Sequence, residues 1–370
     1  MNAQSLTIAL KEKARLLGFD LVDATSAVTP PEIGHLERWL ADGLAGEMRY
    51  FSQRISAYRD PGSILSGVKS VLMLGVNYRT AEPVAAGPGQ GKVSSYAWGG
   101  DYHDVIRTKL RELALFHRQL VPHCQVRGVV DTAPLLERGF AQRAGLGWIG
   151  KNTLLINEKF GSWIFLAALL TTEELQFGEL GRTESNSLPD EFQTPDGLQI
   201  RPTNNFVSDQ NRCGACRACL DACPTGALEA PYRLDARKCI SYLTIESPGP
   251  IPQKLRKACG NRLFGCDACQ EVCPWNRSTP VGNEKSFQPR SAMNPVNLAQ
   301  LFTLDEAGFR KRFRDTPLWR VKLAGLLRNA AGVLGNQPDK NARAALELGL
   351  RHEDPIVIET CAWAIKEIGE

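Results

Sequence analysis

Cysteine spacing is the strongest chemical signal in this chain. Cys213, Cys216, Cys219 and Cys223 follow one another closely and run into Pro224, while Cys266, Cys269 and Cys273 run into Pro274 as a shortened repeat. The C-x2-C-x2-C-x3-C-P spacing lets three thiolates hold one [4Fe-4S] cube while the fourth Cys crosses to a neighbouring cube. Applying that crossover assigns Cys213, Cys216, Cys219 and Cys273 to a first cluster, and Cys239, Cys266, Cys269 and Cys223 to a second. Leu263 stands where a further Cys would precede Cys266, so Cys239 is expected to supply the missing thiolate, with Cys259 as the competitor. Structural zinc would use separated C-x2-C pairs, and a disulfide framework belongs to exported chains, so neither suits this pattern.

Two clusters alone would make an electron carrier, but they sit between other segments, so the electrons are expected to reach a second redox cofactor or a substrate. Asp131 follows the apolar pair Val129-Val130. At the carboxyl end of a strand it could be a proton donor whose pKa is raised by burial; as Asp131-Thr132-Ala133-Pro134 it could equally cap a helix. Tyr102 and His103 follow Gly99-Gly100-Asp101, a loop able to approach a ligand closely or simply to start a helix. Gly145-Leu146-Gly147-Trp148-Ile149-Gly150-Lys151-Asn152 lacks the spacing of a nucleotide-hydrolysing loop but could cradle another polar cofactor. Between 310 and 322 lie Arg310, Lys311, Arg312, Arg314, Arg320 and Lys322 against Asp315, with Arg328 beyond and Phe309, Phe313 and Trp319 interleaved. Such a set suits a nucleic-acid backbone and unstacked bases, or a solvated helix face.

The elements that must position these residues are readable in outline. The chain has 370 residues and a formal net charge of +4, enough for two or three domains and too weakly charged to name a partner. Helices are expected at 6–17, from about 31, at 102–120 and at 131–144, with strands at 68–76, 126–130, 153–156 and 163–171. That alternation predicts an α/β domain over 66–172 and, with the N-terminal helices, a first domain at 1–172. A connecting loop at 173–210, a ferredoxin-type double-cluster domain at 211–290 and a helical region at 291–370 follow. The last region is expected to hold helices at 297–314, 317–334, 340–350 and 355–368, with a HEAT-like pattern that packs on the rest of the protein. Residues 1–10 have no basic region leading into a long apolar core, and the longest apolar run, 163–170, is too short for a bilayer. The expectation is a cytoplasmic protein without a membrane partner.

As a set, several motifs resemble the bacterial epoxyqueuosine reductases over essentially the whole chain. They are Met48-Arg49-Tyr50-Phe51 with Arg54, Tyr96-Ala97-Trp98-Gly99-Gly100-Asp101-Tyr102-His103, Val130-Asp131, the 143–152 loop, the paired cysteine runs and the segment 239–246. The resemblance implies a mixed α+β and α/β fold with a cobalamin on the first domain beside the two [4Fe-4S] clusters, and a HEAT-like C-terminus that holds tRNA. It implies reduction of epoxyqueuosine to queuosine at the wobble position, in the anticodon loop, by a monomer served by an external low-potential electron donor. Asp131 is then the proton donor with Tyr102 nearby; Arg54, Leu155, Asp267 and Asp131 are cobalamin contacts, with Lys151 and Asn152 on the cofactor side; Arg320, Lys322 and Arg328 face tRNA. Ile106 stands where the cobalamin motif D-x-H-x-x-G needs Gly, so His103 makes a poor cobalt ligand. The nearest rivals are a reductive dehalogenase, which shares cofactors and cluster spacing, and a non-enzymatic electron-transfer protein.

Overall fold

The computed structural model describes residues 1–177, 192–193, 199–200, 212–337, 339 and 342–369. The connecting loop expected at 173–210 falls mostly outside them, as does the start of the helix expected at 340–350.

The unbroken apolar run Val71-Leu72-Met73-Leu74 makes the strand Ser70–Asn77 buried along its whole length. It pairs with Leu21–Ser26 on one side and with Ile164–Thr171 on the other, and Val126–Val129 lies beyond Ile164–Thr171. Successive side chains on a strand point to opposite faces. Leu72 and Leu74 therefore meet Leu10, Ile106 and Leu110 of the helices Ala3–Leu16 and Tyr102–Leu120, while Val71 and Met73 meet Phe140 and Ala141 of the helix Glu137–Arg143. Each such large side chain contributes about 1.5–3 kcal/mol when fully buried, so this strand fixes the sheet's register.

Two expectations are corrected here. The strand pairings are antiparallel throughout, so this part of the fold is α+β rather than the alternating α/β arrangement that the pattern suggested. Helix-strand alternation gives the order of elements but not their direction, which depends on where each connection crosses the sheet. The helix expected at 131–144 is helical only over Glu137–Arg143 and is preceded by Leu136. Asp131 stands apart from that helix with φ +52, so it does not cap it. The edge strand Leu21–Ser26, half-buried and weakly patterned, carried no sequence signal.

The rest of the chain is joined to this unit by a small sheet. Gln90–Val93 pairs in parallel with Arg262–Phe264 from the cysteine-rich part and antiparallel with Val296–Asn297 from the C-terminal part. One apolar core then runs from Val93 and Trp98 through Leu263 and Phe264 to Leu326, Leu334, Leu346 and Val357. The helices Lys322–Gly335 and Pro355–Ile368 pack closely, with Gly335 so near Trp363 and Ala364 that a Cβ would clash at 2.6 Å. The helices expected at 297–314 and 317–334 are interrupted: 3-10 turns at Ala299–Thr303 and Pro317–Val321 precede the helices Glu306–Phe313 and Lys322–Gly335. Asp305 caps the first of these by accepting from the Gly308 N–H at 2.7 Å. Among the described residues no helix is long and apolar enough to cross a membrane.

Candidate active site

The helix Tyr102–Leu120 starts where Gly99 lies against the backbone of Ser286 and Phe287, so close that a Cβ would stand 2.5 Å from the Ser286 carbonyl. The Gly-Gly pair thus admits neighbouring backbone rather than a ligand, and it fixes the helix start. Asp101 caps that start, accepting from the His103 N–H at 3.0 Å. Its Oδ1 also meets His103 Nδ1 at 2.7 Å. Tyr102 stacks between His103 and Phe165, with centroids 4.1 and 4.2 Å away.

Asp131 closes the group. The Tyr102 hydroxyl donates to its Oδ2 at 2.7 Å, and His103 Nε2 lies 3.1 Å from the same oxygen. Left-handed backbone is uncommon for a residue other than Gly and tends to be retained at functional sites. Asp131 has it, and so does Thr153, whose carbonyl accepts from Arg138 at 2.9 Å.

The electrostatics overturn one expectation. Burial opposes charge on Asp131, yet hydrogen bonds from His103 and Tyr102 and the charges of His103 and Arg320 outweigh it and hold the carboxyl down at about 2. Asp131 is therefore a carboxylate at neutral pH, not an acid with a raised pKa. The proton sits on His103: burial works against the imidazolium, but Asp101 and Asp131, one on each ring nitrogen, push it up to about 9. Burial and the Asp131 charge drive the Tyr102 phenol far above its ordinary range. Glu137, desolvated and next to Asp131, is pushed up to about 8, and its Oε1 accepts from the Asp131 N–H at 2.7 Å. Sequence reasoning noticed His103 and Tyr102 but had no means of seeing that they share one oxygen of Asp131.

This group borders an open cleft of about 320 Å³, walled on the far side by Trp319 and Arg320. Arg320 pairs with Glu246 at 2.8 Å, so the 239–246 segment and the basic stretch meet here. Arg54 donates to the Thr132 carbonyl at 3.3 Å and so holds the Asp131 loop. Arg138 is accessible to solvent, yet its guanidinium is depressed by desolvation while Asp131 and Cys269 both act on it.

The remaining expected residues have the following surroundings. Leu155 is buried in the core with Met73 and Leu135. Asp267 accepts from the Ser94 hydroxyl and, at 2.7 Å, from the Ser95 N–H, so it ties the 94–95 turn to the cysteine-rich part. Lys151 does not reach towards Asp131; its ammonium donates to the carbonyls of Gly214 and Cys216 at 2.6 and 2.8 Å. Asn152 is buried and accepts from Leu154 N–H at 3.2 Å. Arg328 is corrected outright: it is 4 % exposed and donates to the carbonyls of Leu243, Ser247 and Gly249, so it faces the core and not a nucleic acid. Lys322 is exposed. Of the interleaved aromatics, Phe309 and Phe313 are core residues, while Trp319 is 37 % exposed beneath Arg310.

Burial pushes the Cys273 thiol up to about 11, and Cys213, Cys219 and Cys216 are the cysteines that act on it. Cys269 is raised by burial, then by Cys266 and Cys239, and Cys223 acts on Cys239. Burial pushes Cys259 up to about 11 too, but the charges acting on it are Arg262 and Arg328, not cysteines. Leu263 is fully buried in the core. All eleven cysteines are free of disulfides. No three Cys, His, Asp or Glu side chains among the described residues converge on a single-ion site; a four-iron cube, each iron taking one thiolate, asks for a wider ring.

Comparison with known proteins agrees. Residues 212–276 match a family profile described as a 4Fe-4S double cluster binding domain, and residues 59–132 match one described as Epoxyqueuosine reductase QueG, DUF1730. Epoxyqueuosine reductases from Pseudomonas aeruginosa and Escherichia coli K12 are 40 % and 36 % identical to the chain, each over 99 % of it and over 95 % and 90 % of their own lengths. A crystal structure of epoxyqueuosine reductase with an epoxyqueuosine-modified tRNA-Tyr stem loop superposes with a TM-score of 0.84 at 29 % identity, covering 100 % of this chain and 92 % of that one. A Bacillus subtilis epoxyqueuosine reductase whose catalytic aspartate loop is swung out of the active site superposes with a TM-score of 0.83 at 29 % identity, with the same coverage. Paired cysteine runs, near full-length identity and a shared fold lead to one conclusion: the chain belongs to the epoxyqueuosine reductase family.

Proposed function

We propose that this protein reduces epoxyqueuosine to queuosine at the wobble position of tRNA, using electrons supplied by two [4Fe-4S] clusters and a cobalamin. The observation that carries this reading is the hydrogen-bonded group of Asp131, Tyr102 and His103 beside a cleft walled by Arg320. The clusters fit Cys213, Cys216, Cys219 and Cys273, and Cys223, Cys239, Cys266 and Cys269. A cobalamin would be held by the Asp131 loop, which Arg54 fastens at the Thr132 carbonyl, with Arg138 beside it. When bound, it supplies a low-potential reductant that an external donor recharges through the clusters.

The chain's own residues handle the protons. Removing the epoxide oxygen consumes two electrons and two protons: both carbon-oxygen bonds break, a carbon-carbon double bond forms and water leaves. His103 stores one proton at Nε2 and Asp131 Oδ2 relays it to the departing oxygen, while solvent entering the open cleft supplies the second. Tyr102 orients that carboxylate. On the same reading, residues 1–172 hold the cobalamin, 211–290 the clusters, and the helices within 291–370 form a HEAT-like support for the tRNA, whose anticodon loop meets Trp319, Arg320 and Lys322.

Nucleoside analysis of epoxyqueuosine-containing tRNA after incubation with the reconstituted, reduced enzyme tests the reaction. Queuosine should appear; epoxyqueuosine left intact by fully loaded enzyme overturns the assignment. Because His103 loses its proton near pH 9, the single-turnover rate should stay level to about pH 8 and fall about tenfold per unit above about pH 9. A rate still level at about pH 10 takes His103 out of the proton path. Neutralising Arg320 and Lys322 together should weaken tRNA binding and flatten the plot of log Kd against log salt by about 0.7–0.9 for each phosphate that then goes unneutralised. An unchanged slope moves the tRNA backbone elsewhere.

A further inference from the structure

The segment 145–152 lacks the spacing of a phosphate loop and stands away from Asp131, yet it presents polar groups that the reaction does not use. Lys151 is 8 % exposed, and its ammonium donates to two carbonyls, those of Gly214 and Cys216, at 2.6 and 2.8 Å. A buried ammonium held by carbonyls alone is costly unless an anion lies close by. The anion would come with a bound cluster, whose cysteine run supplies those two carbonyls. Trp148 gives a second, independent sign. Its ring packs against Cys213 and Cys273, with Trp275 edge-on at 4.8 Å and the Arg212 guanidinium over its face at 5.0 Å. Its indole Nε1–H is buried with no hydrogen-bond partner, as is the Nδ2 of nearby Asn152. A buried N–H that no atom of the chain accepts from, the cysteine sulfurs included, costs about 1–3 kcal/mol, and the acceptor it lacks is one that a cluster bound beside this ring would bring.

We propose that Lys151 and Trp148 set the reduction potential of the first cluster: the ammonium and the indole N–H stabilise its reduced form and raise its midpoint. The proposal rests on the reading that Cys213, Cys216, Cys219 and Cys273 hold that cluster. Adding an electron makes a cluster more negative, so a fixed cation and N–H donors to its sulfurs favour the reduced state. The same contacts fasten the first cysteine run to the sheet domain, since Lys151 also accepts at its carbonyl from the Tyr232 N–H at 3.0 Å. Lys151 and Trp148 are thus positioning residues: they act on how readily the cluster holds an electron, not on the bond that breaks.

The test is an EPR-monitored redox titration of the full-length, reconstituted protein, with the two signals assigned by the variant Cys216→Ser. Lys151→Met should lower the midpoint of the first cluster and leave the second unmoved. Trp148→Phe, which removes the N–H but keeps an aromatic ring, should shift the same signal in the same direction by less. An unchanged midpoint in Trp148→Phe together with an unchanged midpoint in Lys151→Met overturns the proposal. If Lys151→Met does not retain the first cluster, Trp148→Phe decides alone, because it leaves the Lys151 contacts in place. Failure of the two-cluster reading would show separately, as wild-type protein with fewer than about six irons per chain.

Discussion

Asp131→Asn should retain both clusters and bind tRNA normally, yet lose turnover by about 10²–10³-fold, in line with what a positioned proton-transfer group contributes. The substitution is clean for a physical reason. Asn tolerates the left-handed backbone that Asp131 adopts at φ +52, and its amide oxygen still accepts from Tyr102. What disappears is the charge. Without it His103 loses one of the two carboxylates that push its pKa up to about 9, so the imidazole gives up its proton at lower pH and the alkaline limb of the rate profile moves down with it. Single-turnover conversion followed by nucleoside analysis across pH measures both effects. A near-normal rate with an unmoved profile would return Asp131 to a purely structural role.

Cys239→Ser should strip the second cluster and leave about four irons per chain where the wild type carries about eight, with no detectable conversion. Cys259→Ser should retain about eight and work normally. The two cysteines are neighbours in one apolar cluster, and sequence spacing alone leaves them in competition. The structure separates them by their surroundings. Cys239 shares its environment with Cys223, Cys266 and Cys269, whereas Cys259 answers to Arg262 and Arg328. Anaerobic iron and sulfide analysis of both variants is the measurement; loss of iron in Cys259→Ser with retention in Cys239→Ser would exchange their roles.

What the sequence by itself determined is the chemistry whose ligands lie close together along the chain. The cysteine runs are legible because two or three of each cube's thiolates come from one short run, so spacing encodes most of each site directly. Pro355–Ile368 is legible for a similar reason: Asp354 caps it by accepting from the Ile356 N–H and proline opens it, all within a few residues. What only the tertiary structure decided is anything set by distant partners. A basic side chain looks the same in sequence whether it meets tRNA or three backbone carbonyls, so Arg328 read as surface and proved to be core. Lys151 read as a cofactor residue and proved to clamp a cysteine loop more than sixty positions away. Asp131 read as an acid with a raised pKa or a helix cap. It became a carboxylate because folding brings His103 and Tyr102, twenty-eight and twenty-nine positions earlier, onto a single oxygen, and a charge's strength depends on what surrounds it rather than on what precedes it.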